Sequence, residues 1–134
     1  MLRVLVLCTV IFIGLTAPSA ANHRERYWHN GSLVEMRWDE IDEWFDIRYI
    51  RPRRGLPVSR GDIIVKGSYP ASGDVYGTAY VFSADCGPAS YEVTGSFRQN
   101  GTLVLRGRAP VRNSRCIIVD RVWNNNSRLV FTPR

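Results

Sequence analysis

Alternating apolar and polar positions dominate this chain, and they predict β-strands. In residues 75–82 small apolar residues alternate with mostly aromatic ones, so one face of the strand is small and the other bulky. The same period of two predicts seven further strands, at residues 33–38, 45–49, 63–67, 91–97, 103–109, 116–120 and 127–132. We expect residues 22–28 to be a loose polar lead-in. The acid-rich segment 39–46 predicts a turn, with a helix over residues 39–45 as the alternative.

The turn around Asn100 and Gly101 sets the register of the fifth and sixth predicted strands. A two-residue loop would place Phe97 opposite Val104 and mix apolar with polar positions on one face. A three-residue loop of residues 99–101, with Gly101 in the left-handed region, instead pairs Phe97 with Leu103. The same register pairs Gly95 with Leu105, Val93 with Gly107 and Glu92 with Arg108.

Glycines inside four of the predicted strands indicate a strongly bent sheet. They are Gly67, Gly77, Gly95 and Gly107. Interior glycines mark the bends that a small closed barrel needs to coil its sheet. The prediction is therefore an all-β fold, a small antiparallel up-and-down barrel of about eight short strands. Side chains should fill it, because eight strands leave an interior only just wide enough for them.

The first 21 residues have the pattern of a secretory signal peptide. Arg3 precedes an apolar run over residues 4–15, and small residues at 19–21 fit a cleavage site after Ala21. The run is shorter than the roughly 20 residues that a spanning helix needs, so no membrane span is expected. Residues 22–134 then form one domain of ordinary size in a periplasmic or secreted protein.

Two cysteines, Cys86 and Cys116, remain after this cleavage. An even pair in an exported domain predicts a disulfide. The only histidines are His23 and His29, and no metal-binding spacing of cysteine or histidine occurs, so we predict no metal site. No cofactor motif is present either, and we expect no cofactor.

The positive charge is carried almost entirely by arginine. The formal net charge is +6, and 17 of the 18 basic residues are arginine. From residue 97 onward there are eight arginines, and Asp120 is the only acidic residue. Such asymmetry attracts anions, and guanidinium suits carboxylate, phosphate or sulfate. Outside the cytoplasm the partner would be an anionic envelope component or another exported protein, not nucleic acid. Alternatively, the arginines serve only solubility and local ion pairing.

Five short motifs resemble an uncharacterised family of small exported bacterial proteins, and together they span nearly the whole predicted mature chain. They are His29-Asn30-Gly31-Ser32, Pro52-Arg53-Arg54-Gly55-Leu56, Gly77-Thr78-Ala79-Tyr80-Val81-Phe82 with Cys86-Gly87, Leu105-Arg106-Gly107-Arg108-Ala109-Pro110, and Leu129-Val130-Phe131. The resemblance implies a single barrel with one disulfide and carries no activity with it. The acidic turn at residues 39–46 is more charged than the resemblance leads us to expect.

No motif in the chain indicates catalysis. Neither histidine neighbours a nucleophile motif, and the acidic residues 39–46 are expected to form a solvated turn. We therefore predict a non-enzymatic binding module that holds an anionic envelope component, a polysaccharide, lipid head group or acidic protein surface, on Arg53, Arg54, Arg106 and Tyr80. One alternative is an inhibitor that inserts loop 51–57 into a secreted hydrolase. Another is a carrier with a small ligand in the barrel mouth.

Overall fold

A computed structural model describes residues 22–70 and 73–134 of the chain. The predicted signal peptide, residues 1–21, lies outside the described residues, as does Ser72 of the predicted turn between the third and fourth strands. No helix among the described residues is long and apolar enough to cross a bilayer.

Eight antiparallel strands close into a barrel, as the alternation predicts. The barrel order is β1-β10-β7-β6-β5-β4-β3-β2, and β8 and β9 form a separate two-stranded sheet. The strands are β1 His23–His29, β2 Ser32–Asp39, β3 Trp44–Arg51, β4 Ile63–Ser68, β5 Asp74–Val81, β6 Ala89–Phe97, β7 Leu103–Arg106, β8 Ala109–Arg112, β9 Ile118–Val122 and β10 Arg128–Pro133.

The expected lead-in at residues 22–28 is wrong, because this segment is the barrel strand β1. It pairs along its length with β2 and closes the barrel against β10. Asn30 and Gly31 both have positive φ, 46° and 78°, which is the two-residue hairpin turn that Asn-Gly favours. The strand looks polar in sequence because Arg24 and Arg26 face solvent, while its buried positions are the amphipathic residues Tyr27 and His29.

The placement of residues 116–120 in the barrel is also wrong. The chain leaves the barrel wall after Arg106, forms the β8–β9 hairpin, and returns to the wall at β10. A glycine marks the exit: the Gly107 N–H donates to the Ser127 carbonyl at 3.0 Å. A Cβ on Gly107 would stand 1.9 Å from the Glu92 carbonyl oxygen, so only glycine fits there.

The predicted register of the β6–β7 hairpin is confirmed near its turn and fails beyond it. Phe97 pairs with Leu103 and Gly95 with Leu105, and Gly101 has the predicted positive φ, 81°. The ladder ends at Thr94 opposite Arg106. Glu92 and Arg108 therefore do not form the predicted cross-strand pair, because the chain has already turned out of the sheet at residue 107.

Large apolar side chains fill the barrel, as expected. The largest fully buried ones are Phe45, Phe131, Met36, Ile47, Ile64, Leu103 and Leu105. On β5 the small face points inward, with Val75 and Ala79 fully buried, while Tyr76 on the other face is 48% exposed. Strand β5 therefore shows the predicted alternation between core and solvent.

The predicted disulfide is confirmed. Cys86 and Cys116 are bonded, with their Cα atoms 5.3 Å apart. The bridge ties the β5–β6 loop to the tip of the β8–β9 hairpin, and so fastens the hairpin to the barrel.

The acidic segment forms a turn and not a helix. The Asp39 carboxylate is buried and accepts hydrogen bonds from the backbone N–H groups of Ile41 and Asp42, at 2.8 and 2.9 Å. Asp46 does not belong to the expected solvated turn, because it lies on β3 and forms ion pairs with Arg37 and Arg48. Burial works to raise the pKa of Asp46, but the hydrogen bonds from the two arginines outweigh it and hold this pKa below its usual value.

Candidate functional site at the loop end of the barrel

The two ends of the barrel carry very different connections. At one end β2 joins β3 through the turn 40–43 and β6 joins β7 through the turn 98–102, and β4 ends and β5 begins at this same end. At the other end lie the turn of residues 30–31, the loops 52–62 and 82–88, and the long excursion 107–127. We call this second end the loop end. Functional residues concentrate on loops held by a rigid scaffold, so the loop end is where a site is expected.

A cavity of about 170 Å³ opens at the loop end, and we call it the mouth cavity. Its walls come from residues near the ends of β1, β3 and β5, residues near the starts of β2, β4, β6 and β10, the loop 52–62, and the residues just before β10. Its polar lining consists of His29, Asn30, Ser32, Tyr49, Arg53, Tyr80, Tyr91, Asn125 and Asn126.

His29 is fixed in one orientation at the base of this cavity. Its ring stacks on Phe131 at a centroid distance of 4.6 Å, and Nδ1 lies 2.9 Å from the Val130 carbonyl oxygen. Because a carbonyl can only accept, Nδ1 must carry the proton, which leaves Nε2 as the acceptor of the neutral ring. Burial lowers the pKa of His29; the bond to Val130 opposes this, and the charge of Arg53 lowers it further.

Arg53 stands at the rim of the cavity with its backbone anchored. Its N–H donates to the buried Ser32 hydroxyl at 2.9 Å, and its side chain passes over the bare Cα of Gly31. Its guanidinium forms no ion pair with any carboxylate in residues 22–70 or 73–134. Burial raises the pKa of Tyr49, and the positive charge of Arg53 works against that rise. The rim therefore holds a cation near two neutral polar rings.

Tyrosines and amides complete the walls. Burial raises the pKa of Tyr91 to about 12, and its hydroxyl donates to the Asn126 carbonyl oxygen at 2.5 Å. Tyr80 is half-buried, and it also lines a shallow cleft of about 390 Å³ on the adjoining outer wall. Phe82 packs edge-on against Tyr49 at 6.1 Å between centroids. The cavity thus offers aromatic walls with hydroxyl and amide groups among them.

The structure brings together two of the four predicted site residues. Arg53 and Tyr80 both line the mouth cavity, whereas Arg54 is exposed on the loop and does not line it. Arg106 lies elsewhere, on the outer wall beside Trp123 and opposite Arg128. Sequence reasoning missed His29 and Tyr49; the Asn-Gly turn directly after His29 was the available signal for the first.

The loop 52–62 is anchored over the barrel mouth. Leu56 and Val58 pack against the core, and the Gly61 N–H donates to the Tyr49 carbonyl at 2.8 Å. Arg53 and Arg54 project from this anchored backbone, and Gly55 between them and Leu56 has a φ of 85°. The loop therefore forms part of the cavity wall.

No group of three potential metal-ligating side chains occurs within the described ranges 22–70 and 73–134. Comparisons of the chain with protein-family models, with curated proteins and with solved structures find no match.

Proposed function

We propose that this protein is an exported, non-enzymatic binding module that holds an acidic group of an envelope component in the mouth cavity. An acidic polysaccharide suits the cavity better than a lipid head group or an acidic protein surface, because aromatic walls and amide groups accompany the cation. Arg53 and Tyr80 are the predicted residues that take part, and we add His29 and Tyr49.

The observation that carries this proposal is the position of Arg53 in the wall of the mouth cavity. A guanidinium with no carboxylate partner among the described residues stands at the rim of a cavity, on a backbone fixed by Ser32. Anchoring reduces the conformational entropy that the loop backbone would lose on binding. A carboxylate or sulfate at the rim would accept two parallel hydrogen bonds from the guanidinium. The Tyr91 hydroxyl already donates to the Asn126 carbonyl oxygen, so the hydroxyls of Tyr49 and Tyr80 are the ones that would donate to these oxygens or to neighbouring ones.

The size of the cavity limits what can enter it. Sites for drug-sized ligands enclose about 300–1,000 Å³, and the mouth cavity encloses about 170 Å³. One acidic group or one ring of a larger molecule fits that volume, while a whole small-molecule cargo does not. This favours a polymer or surface component over the alternative of a small-ligand carrier.

The lining favours binding over catalysis. No carboxylate is among the described residues that line the cavity. The Ser32 hydroxyl is fully buried and accepts a hydrogen bond from the Arg53 backbone N–H. A general acid–base pair needs two groups poised to exchange protons with a substrate. His29 alone, with Nδ1 committed to Val130, offers only one such atom.

The alternative of a hydrolase inhibitor gains no comparable support. It requires loop 51–57 to enter a foreign cleft, yet Leu56 of that loop packs against the core of its own barrel. Displacing that side chain would oppose insertion.

Calorimetric titration with acidic and neutral oligosaccharides tests the proposal. Arg53→Gln should weaken binding of the acidic oligosaccharide by about tenfold or more, because a charge-assisted hydrogen-bonded contact is lost. The neighbouring Arg54→Gln is the matched control, with equal charge loss outside the cavity, and should lose much less. Rising salt should weaken binding. Equal losses in the two variants, or inhibition of a hydrolase by the wild type, would contradict the proposal.

A further inference from the structure

The strand β9 is exposed along almost its whole length. It pairs only with β8, and its residues Ile118 to Arg121 are all exposed. Four large apolar side chains lie on or beside it: Ile117, Ile118, Val119 and Trp123, with exposures of 55%, 40%, 59% and 67%. We call these four residues the apolar strip. Several exposed apolar residues along one short segment usually indicate an interaction surface.

Two arginines lie beside Trp123, at one end of this strip. Arg106 and Arg128 lie directly opposite each other across β7 and β10, and with Trp123 they line a hollow of about 290 Å³. Like charges in directly opposite positions destabilise a sheet unless an anion lies between them. Neither arginine forms an ion pair with a carboxylate in the described part of the chain. The hollow therefore suits a phosphate group beside an exposed indole.

The hairpin that carries the strip is held firmly. The disulfide fixes its tip at Cys116, and the Arg112 guanidinium donates to the carbonyls of Cys86 and Gly87 at 3.3 and 2.8 Å. Arg121 donates to the Ser90 carbonyl at 3.1 Å. The apolar side chains are therefore presented to solvent on a braced element, and their exposure does not result from a loose segment.

We propose that the β8–β9 hairpin docks the protein on an anionic lipid bilayer. The apolar strip enters the interfacial region, with the Trp123 indole at head-group level, where tryptophan is favoured. Arg106 and Arg128 bind lipid phosphates, and Arg115 at the hairpin tip adds attraction to the negative surface. This site is separate from the mouth cavity and does not depend on the function proposed for it.

The observations favour lipid over a protein partner or a second copy of the chain. The strip lies on the exposed strand β9 near Arg106 and Arg128, so its partner must supply negative charge, and a bilayer needs no matching groove. Pairing of β9 with a second β9 is hindered, because the register shifts between Val111 and Arg112 and leaves Val119 as an extra residue in the strand. Asp120 is the one acidic group on the strand, and its carboxylate accepts from the Arg121 backbone N–H.

Vesicle binding by the oxidised protein tests this proposal. The probes are phosphatidylcholine vesicles with and without phosphatidylglycerol, read out by cosedimentation and by tryptophan fluorescence. We expect binding to the anionic vesicles with a blue shift that Trp123→Phe removes. Arg106→Gln with Arg128→Gln should weaken binding about twenty-five-fold, at about fivefold per arginine. Ile117→Ser with Val119→Ser should weaken it about tenfold or more through lost apolar burial.

Matched controls lie at the opposite end of the barrel. Ile41, 72% exposed, and the exposed Arg98 lie in short turns there, so Ile41→Ser and Arg98→Gln should bind vesicles like the wild type. Unchanged circular dichroism would show that each variant folds. Three results would overturn the proposal: equal losses in control and test variants, binding to dextran sulfate but not to vesicles, or a stable dimer by sedimentation without lipid that Ile117→Ser with Val119→Ser dissociates.

Discussion

The backbone N–H of Arg53 donates to the hydroxyl of Ser32, 2.9 Å away, and this bond fastens the loop 52–62 to the first residue of β2. Ser32 is fully buried, so its hydroxyl has little access to water. The cation at the cavity rim therefore owes its position to a serine that carries no charge.

Replacing this serine should affect both stability and binding. Ser32→Ala leaves the Arg53 N–H without its partner, which should cost about 1–2 kcal/mol in free energy of unfolding. Binding of an acidic oligosaccharide should fall as well, because the rim arginine loses its fixed position. Denaturant unfolding and calorimetric titration measure the two effects. Ser32→Thr keeps the hydroxyl and is the control; a threonine variant as weak as the alanine variant would show that packing, not the hydrogen bond, matters.

The disulfide should contribute a large share of the stability. Cys86 and Cys116 are 30 residues apart, and a loop of that length makes a bridge worth about 3.5 kcal/mol in the chain-entropy account. Cys86→Ser with Cys116→Ser should lower the free energy of unfolding by about this amount. Intact-mass measurement with and without reductant checks the bond itself. Two free thiols in the folded, oxidised protein would contradict it.

Stability should also fall in acid through Asp46. Since the arginine pairs hold the folded pKa of Asp46 below its unfolded value of about 3.9, the added stability is complete above that value. It is lost as the pH falls through the lower folded pKa. Asp46→Asn should cost about 1–2 kcal/mol at neutral pH and should show a weaker acid dependence. The exposed Asp74→Asn is the control, and an identical acid profile in wild type and Asp46→Asn would refute the assignment.

Alternation predicted the strands whose inward residues are plainly apolar. Alternation did not predict β1, because its buried positions, Tyr27 and His29, are amphipathic and arginines are among its outward ones. Residues 116–120 produced the opposite error. Ile117-Ile118-Val119 has the composition of a buried strand, yet all three residues are exposed on the hairpin. A solvent-exposed apolar strand breaks the rule on which sequence prediction rests, and such breaks often mark function.

Half of the candidate site followed from the sequence. Arg53 and Tyr80 meet because β3 and β5 both end at the loop end of the barrel. His29 and Tyr49 lie within strands, and they become cavity walls only when the barrel closes. Arg106 could not be separated from the other arginines, because its position opposite Arg128 depends on β10 returning beside β7, which alternation does not specify.

An NMR titration of the ¹⁵N-labelled protein with an acidic oligosaccharide tests binding in the mouth cavity directly. We expect the largest shifts at the Arg53 side-chain N–H, at the His29 ring nitrogens and at the backbone near Tyr80. Arg54 and Arg98, outside the cavity, should shift little, and a neutral oligosaccharide of equal length should produce much smaller changes. Shifts spread evenly over the exposed arginines, with none at His29, would contradict a site in the mouth cavity.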